Sequence, residues 1–254
     1  MSVRNKIHPD SSLDKEDYLS IIDQFQTRGT VIDDRGRNLI KSFRIKEQVI
    51  NVKSFKVPHI FNRVAYKYFR PSKAKRSYEH ACLLLKNNIG TPKPLAYFEY
   101  FSPLGIRQSY YFSEHLRYDL TYRELRSDPD YPDRENILRQ FTQFTFSLHE
   151  HGIFFKDHSA GNTLIVKKDG AYHFYLIDLN RMDFFELDLD SRMKNFSKLT
   201  EDIEMVKIMS DEYARLYGLA YEIIFEKMWG EIIKFRKKYE RRQGLKERLR
   251  SPKK

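Results

Sequence analysis

From residue 29 the chain advances in short apolar runs: Gly29 to Ile32, Leu39 to Ile45 and Val49 to Phe55, separated by polar turns at Asp33 to Asn38 and Lys46 to Gln48. Runs of this length bounded by turn residues predict a three-stranded meander. The period then changes. Tyr78, Ala81, Cys82 and Leu85 fall at i, i+3, i+4 and i+7, which predicts an amphipathic helix over Ser77 to Asn88, stopped at Asn88-Ile89-Gly90-Thr91-Pro92. Two further strands are expected, Pro94 to Tyr100 and Arg107 to Phe112, joined by the turn Ser102-Pro103-Leu104-Gly105. Five strands and one helix therefore precede residue 113. Beyond Pro132 the pattern is helical, with one stripe of Ile137, Leu138, Phe141, Phe144, Thr145 and Leu148 ending near His151.

Two late helices follow, from about Glu201 to Tyr217 and from Leu219 into the C-terminus. In the second, Ala220, Ile224, Met228, Ile232, Phe235 and Tyr239 trace an apolar stripe. Core packing accounts for it; a membrane surface is the alternative, with Trp229 and the basic end set against anionic headgroups. Ahead of the meander, residues 1 to 28 read as a leader carrying a short helix, Leu13 to Phe25. The expected organisation is a leader at 1–28, a β-rich lobe at 29–112, a helical lobe at 113–233 and a basic tail at 234–254.

Charge sharpens this picture. The net charge is +11 over 254 residues, and the segment from Lys234 to Lys254 holds eleven Lys or Arg against Glu240 and Glu247. Most of the excess is thus in the tail. A second basic segment, Lys56 to Arg76, holds seven Lys or Arg and no acid, interleaved with Phe61, Tyr66, Tyr68 and Phe69, and suits a phosphate-rich interface. The single cysteine, Cys82, lies among apolar residues and reads as core; no intrachain disulfide can form. The N-terminus lacks the apolar stretch of a secretory signal and no window offers 18 consecutive apolar residues, so the expected location is cytoplasmic.

The most informative stretch is Phe154-Phe155-Lys156-Asp157-His158-Ser159-Ala160-Gly161-Asn162, then Thr163 to Val166, a turn at Lys168-Asp169-Gly170, and Phe174-Tyr175-Leu176-Ile177-Asp178. Asp-x4-Asn alone occurs by chance. Followed by a hydrophobic hairpin that ends in a second Asp, it is the skeleton of a phosphotransfer site. Such chemistry needs positioning and charge neutralisation more than covalent help. Asp157 would orient an acceptor hydroxyl and take its proton, while Asn162 and Asp178 would hold Mg²⁺ against the phosphates of ATP. Upstream, Lys53 ends an apolar strand and Glu79 lies on the next helix. These fit the phosphate-aligning lysine and the glutamate that holds it. Lys56 is a competitor for the lysine's role, and strand alternation, which points it to the opposite face, favours Lys53.

Here the sequence resembles the protein-kinase-like superfamily, and within it the bacterial lipopolysaccharide core kinases of the Kdo/WaaP type, over roughly residues 29 to 220. The resemblance is carried by Val52-Lys53-Ser54-Phe55-Lys56-Val57-Pro58, Phe69-Arg70-Pro71-Ser72-Lys73-Ala74-Lys75-Arg76-Ser77-Tyr78-Glu79, Gly90-Thr91-Pro92-Lys93-Pro94 and Phe155-Lys156-Asp157 through Asn162. It implies an α+β, two-lobed fold with a five-stranded antiparallel sheet plus one helix, then a mainly helical lobe. It also implies ATP- and Mg²⁺-dependent phosphorylation of a sugar, Kdo or heptose, in the lipopolysaccharide inner core. The glycolipid acceptor would be met at the cytoplasmic face of the inner membrane, by a monomer in peripheral contact with that anionic surface. The segment from Arg63 to Arg76 would meet the acceptor or the membrane, and Glu114 and His115 would lie near the hinge that contacts adenine.

The sequence departs from the protein-kinase pattern in several places. The glycine-rich loop is reduced to Gly29 and Gly36 around Asp33-Asp34-Arg35, Lys156 replaces the usual arginine, Asp178-Leu179-Asn180 replaces Asp-Phe-Gly, and no Ala-Pro-Glu follows. These departures argue for a short, unregulated activation segment and against a protein substrate. Two rivals share the motif: an aminoglycoside- or choline-type phosphotransferase, whose cationic acceptor would fit the basic stretches poorly, and a catalytically silent pseudokinase scaffold. A nucleic-acid-binding role has the tail's charge in its favour but no recognisable motif, so no nucleic-acid partner is expected.

Overall fold

The computed structural model describes residues 2–34, 38–57, 66 and 70–250. Phe61, Arg63, Lys67, Tyr68 and Phe69 of the aromatic-basic segment, and Gly36 of the reduced phosphate loop, lie outside them. The chain divides into two compact units: Met1–Arg117 with Ile177–Asn180, and Tyr118–Leu176 with Arg181–Lys254.

The first unit is built on one antiparallel sheet of six strands. They are β1 (Ser2–Ile7), β2 (Thr30–Asp33), β3 (Asn38–Ile45), β4 (Gln48–Phe55), β5 (Pro94–Ser102) and β6 (Gly105–Glu114), in the order β1-β5-β6-β4-β3-β2. The expected sheet of five gains a strand from the segment read as a leader: β1 pairs with β5 in the register Arg4↔Glu99 and Lys6↔Tyr97. The signal was missing because Ser2 to Lys6 are all exposed, so no buried face imposes an alternating pattern. Charged Arg4 and Lys6 suit an edge strand, where they discourage pairing with another chain.

Helix α1 (Lys15–Gln24) begins with a capping box between Asp14 and Asp17. It buries Tyr18, Ile21 and Ile22, with Phe25 beyond its end, against Ile50, Val52, Phe98, Tyr110 and Phe112 of the sheet. Each such side chain contributes about 1.5–3 kcal/mol by burial. The end of α1 is held by Lys41 from β3. Its ammonium, 6% exposed, donates to the carbonyls of Phe25 (2.7 Å), Arg28 (3.0 Å) and Gln26 (3.3 Å). On the other side of the sheet, α2 (Lys73–Lys86), capped by Ser72, packs Ala74 and Tyr78 against Phe55 and Tyr97. It starts four residues before the expected Ser77: three of the four residues of its first turn are cations, and the small Ala74 alone does not mark an apolar stripe. Cys82 packs at the margin of that cluster, where burial raises its thiol pKa.

The second unit is mainly helical. Its elements are β7 (Leu120–Thr121), α3 (Tyr122–Ser127), α4 (Arg134–Glu150), β8 (Ile153–Phe155), β9 (Thr163–Lys168), β10 (Ala171–Leu176), β11 (Met182–Phe184), α5 (Leu189–Asn195), α6 (Ile203–Tyr217) and α7 (Tyr221–Arg250). The expected hairpin is β9–β10, turning through Asp169 and Gly170, both at positive φ. The stripe of α7 buries Ile224, Met228 and Ile232 in the core, while Tyr239 is 55% exposed, so the helix leaves the core before its basic end.

A buried polar chain links three of these helices. The ring of His149 in α4 meets the hydroxyl of Tyr213 at Nδ1 (2.9 Å) and the amide oxygen of Asn195 at Nε2 (3.1 Å), and Asn195 Nδ2 donates to the carbonyl of Phe155 (2.7 Å). The arrangement requires a neutral imidazole that donates from Nε2 and accepts at Nδ1. Burial pushes the pKa of His149 down to about 3. His158, 1% exposed among Phe141, Phe155 and Phe196, is pushed down to about 3 by the same cause, weakly opposed by the Asn195 backbone.

Two outcomes follow from this packing. Lys41→Met, which strips a charged donor from three carbonyls, should destabilise the chain by about 2–3 kcal/mol, measured by urea unfolding followed by circular dichroism. Both histidines stay neutral in the folded chain down to about pH 3, whereas in the unfolded chain they protonate near about pH 6.5. Stability is therefore fully present above about pH 6.5 and falls as the pH drops, by about 1.4 kcal/mol per pH unit for each ring. His158→Phe should make the unfolding free energy less steep between pH 6.5 and 4.5; an unchanged slope would show that this ring is not the acid-sensitive group.

Candidate functional site

One group of candidate residues, Lys53, Glu79, Glu114, His115 and Asp178, belongs to the first unit. Lys53 follows the buried Val52 on β4 and faces the α2 side of the sheet, as alternation predicts; Lys56, beyond the end of β4, is exposed. The Lys53 side chain is only 11% exposed, and an ammonium so placed requires an acceptor. Asp178 supplies it, with Nζ to Oδ1 at 2.7 Å. The same oxygen accepts from the Asn180 amide at 2.6 Å. Asp178 sits at φ +59°, left-handed backbone that a non-glycine residue adopts at a cost and that concentrates at functional sites.

The lysine's partner is therefore Asp178 and not Glu79, as the sequence suggests. Glu79 lies on the side of α2 that carries Lys75, with which it pairs one turn apart at 3.7 Å, and is half exposed. Its neighbour His80 has the structural role: Nδ1 meets the carbonyl of Leu179 at 2.6 Å, tying α2 to the segment that carries Asp178. Sequence reasoning passed over His80, although it adjoins the glutamate that drew attention to this turn. Glu114 and His115 end β6, where their N–H groups donate to the carbonyls of Lys93 and Val49, and the His115 ring meets the Asn51 amide at 2.9 Å. Both are exposed and stand just before Arg117, where this part of the first unit ends.

A second group, Asp157 and Asn162, belongs to the second unit. Asp157 follows β8, and Asn162 ends the loop just before β9. Asn162 Nδ2 donates to the Asp157 carbonyl at 2.8 Å, which closes the loop and turns the amide oxygen away as a potential ligand. The Arg123 guanidinium lies against Gly161, where a Cβ would fall 2.2 Å from it, so a side chain at 161 would displace the end of Arg123. Two cations share Asp157 Oδ1: Arg181 Nη1 at 3.1 Å and Lys198 Nζ at 3.4 Å. Neither was singled out in the sequence, because both are remote from the Asp-x4-Asn motif. Lys156 is engaged by Asp183 at 2.5 Å.

Each unit offers an oxygen of the kind magnesium takes. Mg²⁺ takes one or two carboxylate or amide oxygens and completes its shell with water and phosphates. Asp178 Oδ2 is not used by Lys53 or Asn180, and the Asn162 amide oxygen is not used by the loop. No group of three or more His, Cys, Asp or Glu able to hold a metal occurs among the described residues.

No family model matches the sequence, and no curated protein matches it. Among solved structures the chain is similar to WaaP in complex with acyl carrier protein, with a TM-score of 0.64 and 13% identity over 94% of this chain and 98% of that one. A likeness at this identity concerns the fold. An α+β chain with a six-stranded antiparallel sheet followed by a helical unit has the protein-kinase-like fold.

Proposed function

We propose that the chain is an ATP- and Mg²⁺-dependent kinase that phosphorylates a sugar hydroxyl, Kdo or heptose, of the lipopolysaccharide inner core. The observation that carries this reading is the pairing of Lys53 with Asp178 at 2.7 Å. A strand lysine and the aspartate that follows the β9–β10 hairpin, far apart in sequence, meet as a phosphate-aligning cation and a metal-binding carboxylate would. The likeness to WaaP supports the choice of a glycolipid acceptor.

When bound, ATP supplies the phosphoryl group and Mg²⁺ offsets its charge. Lys53 would orient the α- and β-phosphates, and Asp178 and Asn162 would each offer the metal an oxygen. Asp157 orients the acceptor hydroxyl and accepts its proton as the oxygen bonds to the γ-phosphorus and the bond from that phosphorus to the ADP oxygen breaks. His80 is a positioning residue, acting through the Leu179 carbonyl. Glu114 and His115 mark the adenine side. The role expected of Glu79 passes to Asp178 as far as holding Lys53 is concerned. The basic end of α7, with exposed Tyr239 and Leu245, would make peripheral contact with an anionic membrane surface; no helix among the described residues is long and apolar enough to cross one.

Radiolabelled phosphate transfer from Mg-ATP to purified deep-rough lipopolysaccharide tests the reading. Asp157→Ala should lower turnover by about 10²–10⁴-fold with nucleotide affinity kept. Asp178→Ala should lose turnover and Mg-ATP affinity together. Near-wild-type turnover in both variants would exclude these assignments, and Mg-ATP binding without transfer to any glycolipid would move the acceptor to soluble alcohols.

A further inference from the structure

The loop Asp157-His158-Ser159-Ala160-Gly161-Asn162 contains no cation, yet its carboxylate is the focus of two. Arg181 arrives just before β11, and its guanidinium is 57% exposed with one contact to Asp157 at 3.1 Å. Lys198 arrives from the segment after α5 and is 31% exposed. It is held in place from three sides: the backbone of its residue bridges Ser159, its ammonium donates to the Lys156 carbonyl, and it lies 6.0 Å from the centre of the Phe235 ring. Of two further cations beside the loop, Lys156 is neutralised by Asp183 and Arg123 lies against Gly161, at the other end of the loop from Asp157.

Neutralising Asp157 takes one positive charge, and two are present on the same oxygen. The surplus charge is fixed beside the base and reachable from solvent. Most of the donors of the Arg181 fork are not spent on Asp157, and a guanidinium fork matches a carboxylate or phosphate in two parallel hydrogen bonds. We propose that Arg181 and Lys198 form a recognition site for an anionic group, carboxylate or phosphate, carried by the acceptor next to the hydroxyl that Asp157 serves. They are specificity-determining residues: they favour an acidic sugar over a neutral one of the same shape. The inference rests on the reading of Asp157 as the acceptor-side base.

The test is calorimetric binding at fixed ionic strength of three probes to the full chain: the methyl glycoside of an eight-carbon 3-deoxy sugar acid, its methyl ester, and a hexose 6-phosphate. The wild type should bind at least one anionic probe about tenfold or more tightly than the ester. The better of the two names the source, carboxylate or phosphate. Arg181→Gln and Lys198→Gln should each remove most of that preference, leaving the ester unaffected. Asp157→Asn should tighten the anion, because both cations lose their competitor; a structural role for the cluster would not move affinity in opposite directions. Equal affinity for acid, phosphate and ester, no measurable binding of either anion, or a preference that survives in both glutamine variants would overturn the proposal. Binding needs no turnover. Undiminished phosphate transfer by Asp157→Asn, which would sink the general-base reading, is therefore separable from failure of this inference.

Discussion

The ion pair between Lys53 and Asp178 is the constraint on which the placing of residues 177–180 in the first unit depends. A lysine on a strand packed under α2 cannot stay charged without an acceptor, and the one it has comes from a segment 125 residues further along the chain. Residues 177–180 belong to the first unit although the chain on either side of them belongs to the second. The hydrogen bonds of Asn180 and His80 hold the same four residues, and the left-handed backbone at Asp178 is tolerated because these contacts over-determine it. In an aspartate fixed in this way one oxygen, Oδ1, takes both donors, the Lys53 ammonium and the Asn180 amide.

In the second unit the corresponding constraint is a buried one. Asp157 and Asn162 sit on a short loop whose entry, the carbonyl of Phe155, is fixed by Asn195, which is in turn fixed by His149. The loop therefore inherits its position from α4, α5 and α6. Fully satisfied networks of this kind rigidify a core. The loop carries no positive charge of its own, so the electrostatics around Asp157 are set by Arg181 and Lys198 from outside it.

Where a buried face imposed a period, the element could be read from sequence: β3 to β6, the stripe of α4, and the hairpin that separates Asn162 from Asp178. Asp157, Asn162 and Asp178 stood out as candidates because phosphotransfer chemistry restricts both residue type and spacing. The edge strand β1 was not, since it is held by backbone pairing and its side chains are exposed. Nor was the partner of Lys53, because ion pairs between distant segments leave no periodic trace. Glu79 was plausible from its helix alone, yet its place on α2 gives it to Lys75. Lys41 and His149 illustrate the same limit: a buried cation capping carbonyls and a buried neutral imidazole look, in sequence, like any exposed lysine and histidine.

The most direct measurement is ATP affinity with and without Mg²⁺, by calorimetry, in the wild type and in Asp178→Asn. If Asp178 is the metal-binding carboxylate held ready by Lys53, magnesium should tighten ATP binding in the wild type and leave the variant nearly unchanged. An equal gain from magnesium in both proteins would contradict the account and reduce the Lys53–Asp178 pair to a structural tie.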